Sequence, residues 1–478
     1  MTTRYTLIAA LAALVSFAAF AEPVDKAEEQ KEMLQKASDI ALASSVVVDI
    51  TPQLVGVEEP LVRVMSVKCP NCGNYHSSGI QEFIGAERSM FSAGYLVEPD
   101  AVLCADIGLN PENIGQIKVL RGDASVPAKL EKVFVNQGAM LLRLEAPLEG
   151  VSPVTVDPAA AKPAKSVVVT QSKWGAIPSD LVATAKPAIG DAYRQQDGTT
   201  RYLSEDPVMI LFDKDMRVCG FNFNARTTGD EIYDPAKWNA LTVPELEAAA
   251  KVAVDAASRS ILPVTLTFRT KKASRSGGGR SWRYSDDNEN LSELVTFGFV
   301  VKDSEILVSI GESRKQLTRL DKIKVYFPDG KMEEAEFKFV HKRANLMVAK
   351  LPAAHPEATM KITNEEFRAQ TQKMQMLVDI SPAGDGKTKI RSNRVRLLAL
   401  EFGWRNIPTV DVPARSTPGS VIFNMDGETL WNVAQVREAQ ESLGEENRWS
   451  SYGDEIYLPS SEFVAFAAAE EAEIDSAA

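Results

Sequence analysis

Histidine is scarce in this chain, with three residues among 478: His76, His341 and His355. Cysteine is almost as rare, and its four residues, Cys69, Cys72, Cys104 and Cys219, all fall in the first half. Disulfides therefore cannot be the general framework of the fold, and the second half must stand on packing alone. Positive charge is outweighed: 53 Lys and Arg face 65 Asp and Glu, for a net charge of −12. A surface built to track phosphates needs a basic face, so no nucleic-acid partner is expected. Beyond the first twenty residues no apolar run is long enough to cross a bilayer, so no membrane span is expected in the mature chain.

The first residues do hold an apolar run, Leu7 to Phe20, preceded by Arg4 and followed by the small-x-small site Ala19-Phe20-Ala21. This reads as a signal peptide over residues 1–21, with a mature chain beginning near Glu22 and a periplasmic or secreted location. A retained membrane anchor is the competing reading, against which stands the lack of a stop-transfer pattern or of a cysteine at the cut.

With 45% hydrophobic and 25% charged residues, the chain can bury ordinary cores and is too long for one compact unit. An internal repeat sets its organisation. Met33, Leu34, Ala37, Ile40 and Ala41 recur at helical spacing ahead of the β-branched run Val46-Val47-Val48-Asp49-Ile50; Leu246, Ala249, Ala250, Val252 and Ala253 do so ahead of Val264-Thr265-Leu266-Thr267-Phe268. Hairpin patterns follow in both copies, at Ala93–Leu103 and Phe297–Leu307. Ile117-Lys118-Val119 answers to Ile323-Lys324-Val325, and Ala139–Leu144 to Leu346–Leu351. Closing hairpin signals stand at Phe212–Asp215 and Phe423–Gly427. Two homologous, mainly β units are expected, each introduced by a helix. The boundaries read as an N-terminal helix over 22–44, a first domain over 45–242, a linker helix over 243–262, a second domain over 263–465 and an acidic tail over 466–478.

In this order the strings resemble the signature segments of trypsin-like serine proteases, the bacterial HtrA-type branch especially, over most of both halves. The resemblance implies two tandem trypsin-like double β-barrel domains. In that family a strand after the first hairpin delivers the catalytic His; here Ile107 stands there in the first copy, or Asp106 if the register slips by one, and Gly311 in the second. The orienting Asp is replaced by Gly138 and Asn345, and the nucleophilic Ser by Pro207 and Pro418. Serine-protease chemistry needs an imidazole to take the hydroxyl proton and a carboxylate to hold its tautomer. Loss of the nucleophile or base alone typically costs about a millionfold in turnover. A proline at the nucleophile position also removes a backbone N–H that an oxyanion hole would use. No catalytic residue is therefore assigned. The PDZ domain and trimeric assembly of many HtrA-type proteases are not carried over, because the second barrel pair occupies the PDZ position.

Other candidate sites are each open to a plainer reading. Cys69-Pro70-Asn71-Cys72-Gly73, with His76 close behind, has the form of a zinc knuckle, but a structural zinc wants four ligands and no second CxxC exists. A local Cys69–Cys72 disulfide is preferred to a zinc site on Cys69, Cys72 and His76 completed from elsewhere; a redox pair comes third. Cys104 and Cys219 read as packed thiols, with a bridge between them as the alternative. Ser420 could be rescued as a nucleophile by shifting its loop two places, with His341 or His355 as base. Those histidines read more plainly as a satisfied strand residue and a loop residue. Trp282, Tyr284, Trp404 and Trp431 read as core or cross-strand aromatics before a groove lining. Lys271, Lys272, Arg275 and Arg280 read as a solvated loop.

The expectation is an exported, non-catalytic scaffold for a protein or peptide in the cell envelope, without a cofactor unless zinc sits at the knuckle. A serine endopeptidase with an unrecognised site is the alternative, and one copy merely bracing the other is a third possibility.

Overall fold

The computed structural model describes residues 28–29, 31–53, 64–68, 75–79, 90–134, 137–161, 165–171, 181–186, 192–194, 200–203, 209–223, 226–228, 234–269, 292–311, 313–341, 344–366, 370, 374–382, 388–395, 399–402, 408–411, 419–436, 454–467 and 472–473. The expected signal peptide lies outside them. The chain divides into two compact units. The first takes Met1–Pro52, Arg88–Asp106 and Gly115–Leu241; the second takes Gln53–Glu87, Ile107–Ile114 and Thr242–Ala478.

Helix α1, over residues 31–44, buries Ala37 and Ala41, four residues apart and hence on one face. It runs straight into β1 (Ser45–Pro52), whose β-branched residues Val46, Val48 and Ile50 are fully buried. A separate hairpin follows, β2 (Val64–Lys68) against β3 (Tyr75–Gly79), with Lys68 opposite Tyr75. The chain then supplies β4 (Met90–Glu98), β5 (Ala101–Ala105), β6 (Ile114–Arg121), β7 (Ala124–Phe134) and β8 (Ala139–Leu144). These pair in the order β7-β6-β1-β4-β5-β8, and β8 returns to β7, which closes a six-stranded antiparallel barrel. Closure satisfies the strand edges within the barrel.

Beyond the barrel come β9 (Lys165–Gln171), β10 (Leu181–Lys186), β11 (Ala192–Arg194), β12 (Thr200–Leu203), β13 (Met209–Phe212), β14 (Val218–Asn222) and β15 (Arg226–Thr228). They form a sheet β10-β9-β13-β14 and a smaller one β11-β12-β15. Ala37, Ala41, Tyr95, Leu103, Ile210, Phe212, Phe221 and Trp238 share one core, so helix, barrel and second sheet of this unit pack as a body. A short strand, β16 (Leu241–Thr242), ends the half beside β7.

Helix α2 (Val243–Ser260) starts sharply because Pro244 sits in its first turn and the Glu245 carboxylate reaches back 2.7 Å to the Thr242 backbone N–H. It ends two residues earlier than the expected linker helix, where Ile261, Pro263 and Val264 favour extended chain. There follow β17 (Ile261–Phe268), β18 (Glu293–Lys302), β19 (Glu305–Ser309), β20 (Leu320–Tyr326), β21 (Met332–His341) and β22 (Leu346–Lys350). Their order is β20-β17-β18-β19-β22-β21, closed by β20 on β21, so the second barrel repeats the first strand for strand. The remainder is β23 (Gln375–Pro382), β24 (Thr388–Val395), β25 (Ala399–Phe402), β26 (Pro408–Asp411), β27 (Ser420–Phe423), β28 (Thr429–Val436) and β29 (Asp454–Pro459), with a five-stranded sheet β24-β23-β27-β28-β29. A short helix α3 (Ser460–Ala465) and strand β30 (Ala472–Glu473) complete it. The expected acidic tail is thus in part structured, since β30 pairs with β21.

The repeat reaches into irregularities. Register breaks fall between Leu96 and Glu98 and between Val300 and Lys302, again between Leu130 and Lys132 and between Phe337 and Phe339, and again between Leu211 and Phe212 and between Ile422 and Phe423. Each is an extra residue that bends its strand, and barrels use such kinks to turn corners. Gly94 and Gly298 also correspond: a Cβ would come within 2.9 Å of Val102 at the first and 2.6 Å of Ile306 at the second, both inside a barrel. The fold is therefore mainly β, with two closed six-stranded barrels in tandem halves, each half introduced by a helix.

Candidate functional site

The positions where the family resemblance would place an active site can be built from the strands that carry them. In the first unit β5 ends at Ala105, and the next residue, Asp106, donates its backbone N–H to the carbonyl of Gly138 at 2.8 Å. In the second, β19 ends at Ser309, and Ile310 donates in the same way to Asn345 at 3.0 Å. Each barrel thus joins the segment expected to carry the base to the residue expected to orient it. Asp106, the alternative position in the first unit, has the one carboxylate among these residues. Ile107 is a buried hydrocarbon; Gly138 and Gly311 have none and adopt φ of 62° and 51°; Asn345 offers a buried amide.

Pro207 and Pro418 lie outside the described residues. Next to the latter, Gly419 is jammed against the sheet: a Cβ there would stand 2.2 Å from the Ile380 carbonyl oxygen. Ser420 follows at the start of β27, fully buried, and its hydroxyl donates to Asp379 Oδ1 on β23 at 3.0 Å. The other carboxylate oxygen of Asp379 takes Arg391 Nη2 from β24. Asp379 is fully buried, so this ion pair and hydroxyl offset the cost of removing its charge from water. Nothing in the sequence marked Asp379 or Arg391. Their partnership depends on two register assignments, Asp379 opposite Arg391 and Asp379 opposite Ser420.

His341 and His355 each lie against an aromatic ring. His341 is buried near the end of β21 with its ring 4.5 Å from that of Phe466. His355 lies 4.1 Å over Phe327, with Nδ1 3.2 Å from Glu357 and Nε2 3.1 Å from Glu333, so both ring nitrogens face carboxylates. It does belong to a loop, as expected, yet one clamped to the barrel. His76 sits in β3 opposite Val67.

Cys104 and Cys219 are both free thiols. Burial, reinforced by Asp106, pushes the Cys104 thiol well above its ordinary range; burial and the nearby Asp213 charge push Cys219 up to about 12. Both are neutral at physiological pH, which removes their nucleophilicity. Cys69 and Cys72 lie outside the described residues, between β2 and β3. Among the described residues no group of three or more His, Cys, Asp or Glu side chains is arranged to hold a metal.

Trp431 is buried and donates its indole N–H to Gln370 Oε1 at 2.9 Å, which makes it a core residue. Trp282, Tyr284, Trp404, Lys271, Lys272, Arg275 and Arg280 lie outside the described residues. No helix among the described residues is long and apolar enough to cross a membrane. No family model matches the sequence, and no curated protein matches it.

Proposed function

We propose that this protein is an exported, non-catalytic relative of the trypsin-like serine proteases that holds a protein or peptide in the cell envelope. One observation carries the reading. In both halves the same backbone bond, Asp106 to Gly138 and Ile310 to Asn345, joins the segments expected to carry the base and its orienting residue, while those positions hold Ile107, or Asp106 in the other register, with Gly138, and Gly311 with Asn345. Scaffold and chemistry have come apart at the same place twice.

The alternative is an endopeptidase acting through Ser420. It has in its favour a serine hydroxyl bonded to a carboxylate. Against it, that carboxylate is already paired with Arg391, the serine is fully buried, and His355 engages two glutamates. For the knuckle, a Cys69–Cys72 disulfide is the preferred state, with zinc on Cys69, Cys72 and His76 as the second. Exposure of the protein to a fluorophosphonate probe and to casein tests the main reading: neither labelling nor cleavage is expected. Labelling that disappears in Ser420→Ala would establish the endopeptidase and end the scaffold proposal.

A further inference from the structure

Each barrel closes on itself, yet one strand in each is longer than closure requires. β21 pairs with β20 only through Met332–Ala335, while its later residues pair with β22 on the opposite edge through Val340. This leaves a half-edge from Phe339 to His341 that closure does not use, and an unfilled edge is a template for an extended chain. β30 fills it, with Glu473 opposite Val340 and Ala472 opposite His341. In the first half the strand that answers to β21, β7, likewise pairs with a short extra strand, β16. The two fillers differ in kind. β16 is followed at once by the capped helix α2, whereas β30 is two residues long and follows an acidic stretch containing Glu470 and Glu471.

Charge points to what the edge accepts. Lys338 is exposed on β21, and the sequence after His341 continues with Lys342 and Arg343. The segment that supplies β30 carries Glu470, Glu471, Glu473 and Asp475. The segment is anchored close by: Phe463 is fully buried 5.0 Å from Phe299, and the Phe466 ring lies tilted against His341 at 4.5 Å. Four residues separate Ala467 from Ala472, so the strand is presented to its edge at an effective concentration of order millimolar.

We infer that the Phe339–His341 edge of β21 is a binding site for an extended, acidic segment of a partner protein, covered in cis by the chain's own strand β30. The inference rests on the scaffold reading above and names its peptide site. Main-chain hydrogen bonds to the edge supply affinity, and Lys338 selects acidic over basic peptides. Displacement of β30 is the event that admits the partner.

The test uses the full chain and a fluorescein-labelled peptide copying residues 468–478. Ala472→Pro with Glu473→Pro removes both strand N–H groups and opens the edge. A second variant reverses Glu470, Glu471 and Glu473 to Lys, which weakens the cis strand without proline. Both variants are expected to keep the wild-type unfolding transition and to bind the peptide at least tenfold more tightly than the wild type does. Raised salt and Lys338→Glu should each weaken that binding. Equal affinity for wild type and variants, or no binding by variants that remain folded, overturns the inference. Such a failure with an unreactive fluorophosphonate probe leaves the scaffold reading in place; probe labelling lost in Ser420→Ala removes that reading itself.

Discussion

Asp213 and Asn424 occupy the same corner of the two halves and organise the same turn with opposite electrostatics. Each follows a buried strand, accepts two backbone N–H bonds on Oδ1, from Asp215 and Arg217 in one half and from Asp426 and Glu428 in the other, and closes the turn through its own backbone. The remaining side-chain atom decides the identity. Asp213 Oδ2 receives Arg217 Nε at 2.9 Å, whereas Asn424 Nδ2 donates to Glu428 Oε2 at 2.9 Å. An acceptor suits Arg and a donor suits Glu, so the two residues are not interchangeable.

Their pH responses should differ accordingly. Burial alone would push the Asp213 carboxyl up, but the N–H groups of Ala161, Arg217 and Asp215 and the Arg217 guanidinium outweigh it and hold it from 3.8 down to about 2. A lowered value means stability present above the unfolded value and lost as pH falls from about 4 towards 2. Asp213→Asn should cost about 1–2 kcal/mol at pH 7, the lower figure because Arg217 is 35% exposed, and should flatten that acid limb. Asn424→Asp sets a carboxylate against Glu428 and should be destabilised at neutral pH and relieved in acid. Urea unfolding of both variants at pH 7 and pH 3 reads the contrast.

Gly94 and Gly298 test the barrel interiors. Alanine at either forces Val102 or Ile306 to give way inside a closed, packed barrel, at a cost of about 1–3 kcal/mol. Gly298→Ala should be the more costly, since its Cβ falls 2.6 Å from Ile306 against 2.9 Å from Val102 at Gly94. Thermal unfolding of the two variants checks the ranking.

Asn110 belongs to the second unit with the rest of Ile107–Ile114, and its amide imitates a strand against β24: Nδ2 donates to the Ser392 carbonyl at 2.9 Å, and Oδ1 accepts from the Arg394 N–H at 3.3 Å. Asn110→Ala should cost about 1–2 kcal/mol and speed hydrogen exchange at Arg394. Asn110→Asp should be worse, because it keeps the acceptor but turns a charged oxygen on the Ser392 carbonyl.

Cys104 and Cys219 should resist alkylation in the folded protein at pH 8. With its thiol held at about 12, Cys219 is thiolate in only about one molecule in ten thousand. Peptide mapping after iodoacetamide should find both thiols modified only once the chain is unfolded; rapid labelling of either would contradict the burial described.

Much of this fold was legible in the sequence because the signals are local. The hairpin at Ala93–Leu103 is written in two apolar runs around Pro99-Asp100, and β4 and β5 meet there with Glu98 opposite Ala101. The ends of helices and tail were less legible: β30 is a strand only because β21 offers it an edge, and an acidic Ala-rich stretch carries no strand signal of its own. The pairing of Asp379 with Ser420 and Arg391 was illegible for a related reason, since residues 41 and 12 positions apart meet only through ladder register.

By itself the sequence determined the duplication, the predominance of strands and the residues that stand at positions 107 and 311, neither of them histidine, because repeat spacing, period-two alternation and residue identity are properties of short stretches of chain. Tertiary structure alone decided that both sets of six strands close, that the Ser420 hydroxyl donates a hydrogen bond to an already paired aspartate, and that β21 keeps a half-edge for another strand. Those outcomes depend on which distant segments find each other, and the free energy that selects them comes from burial and backbone pairing across the whole sheet.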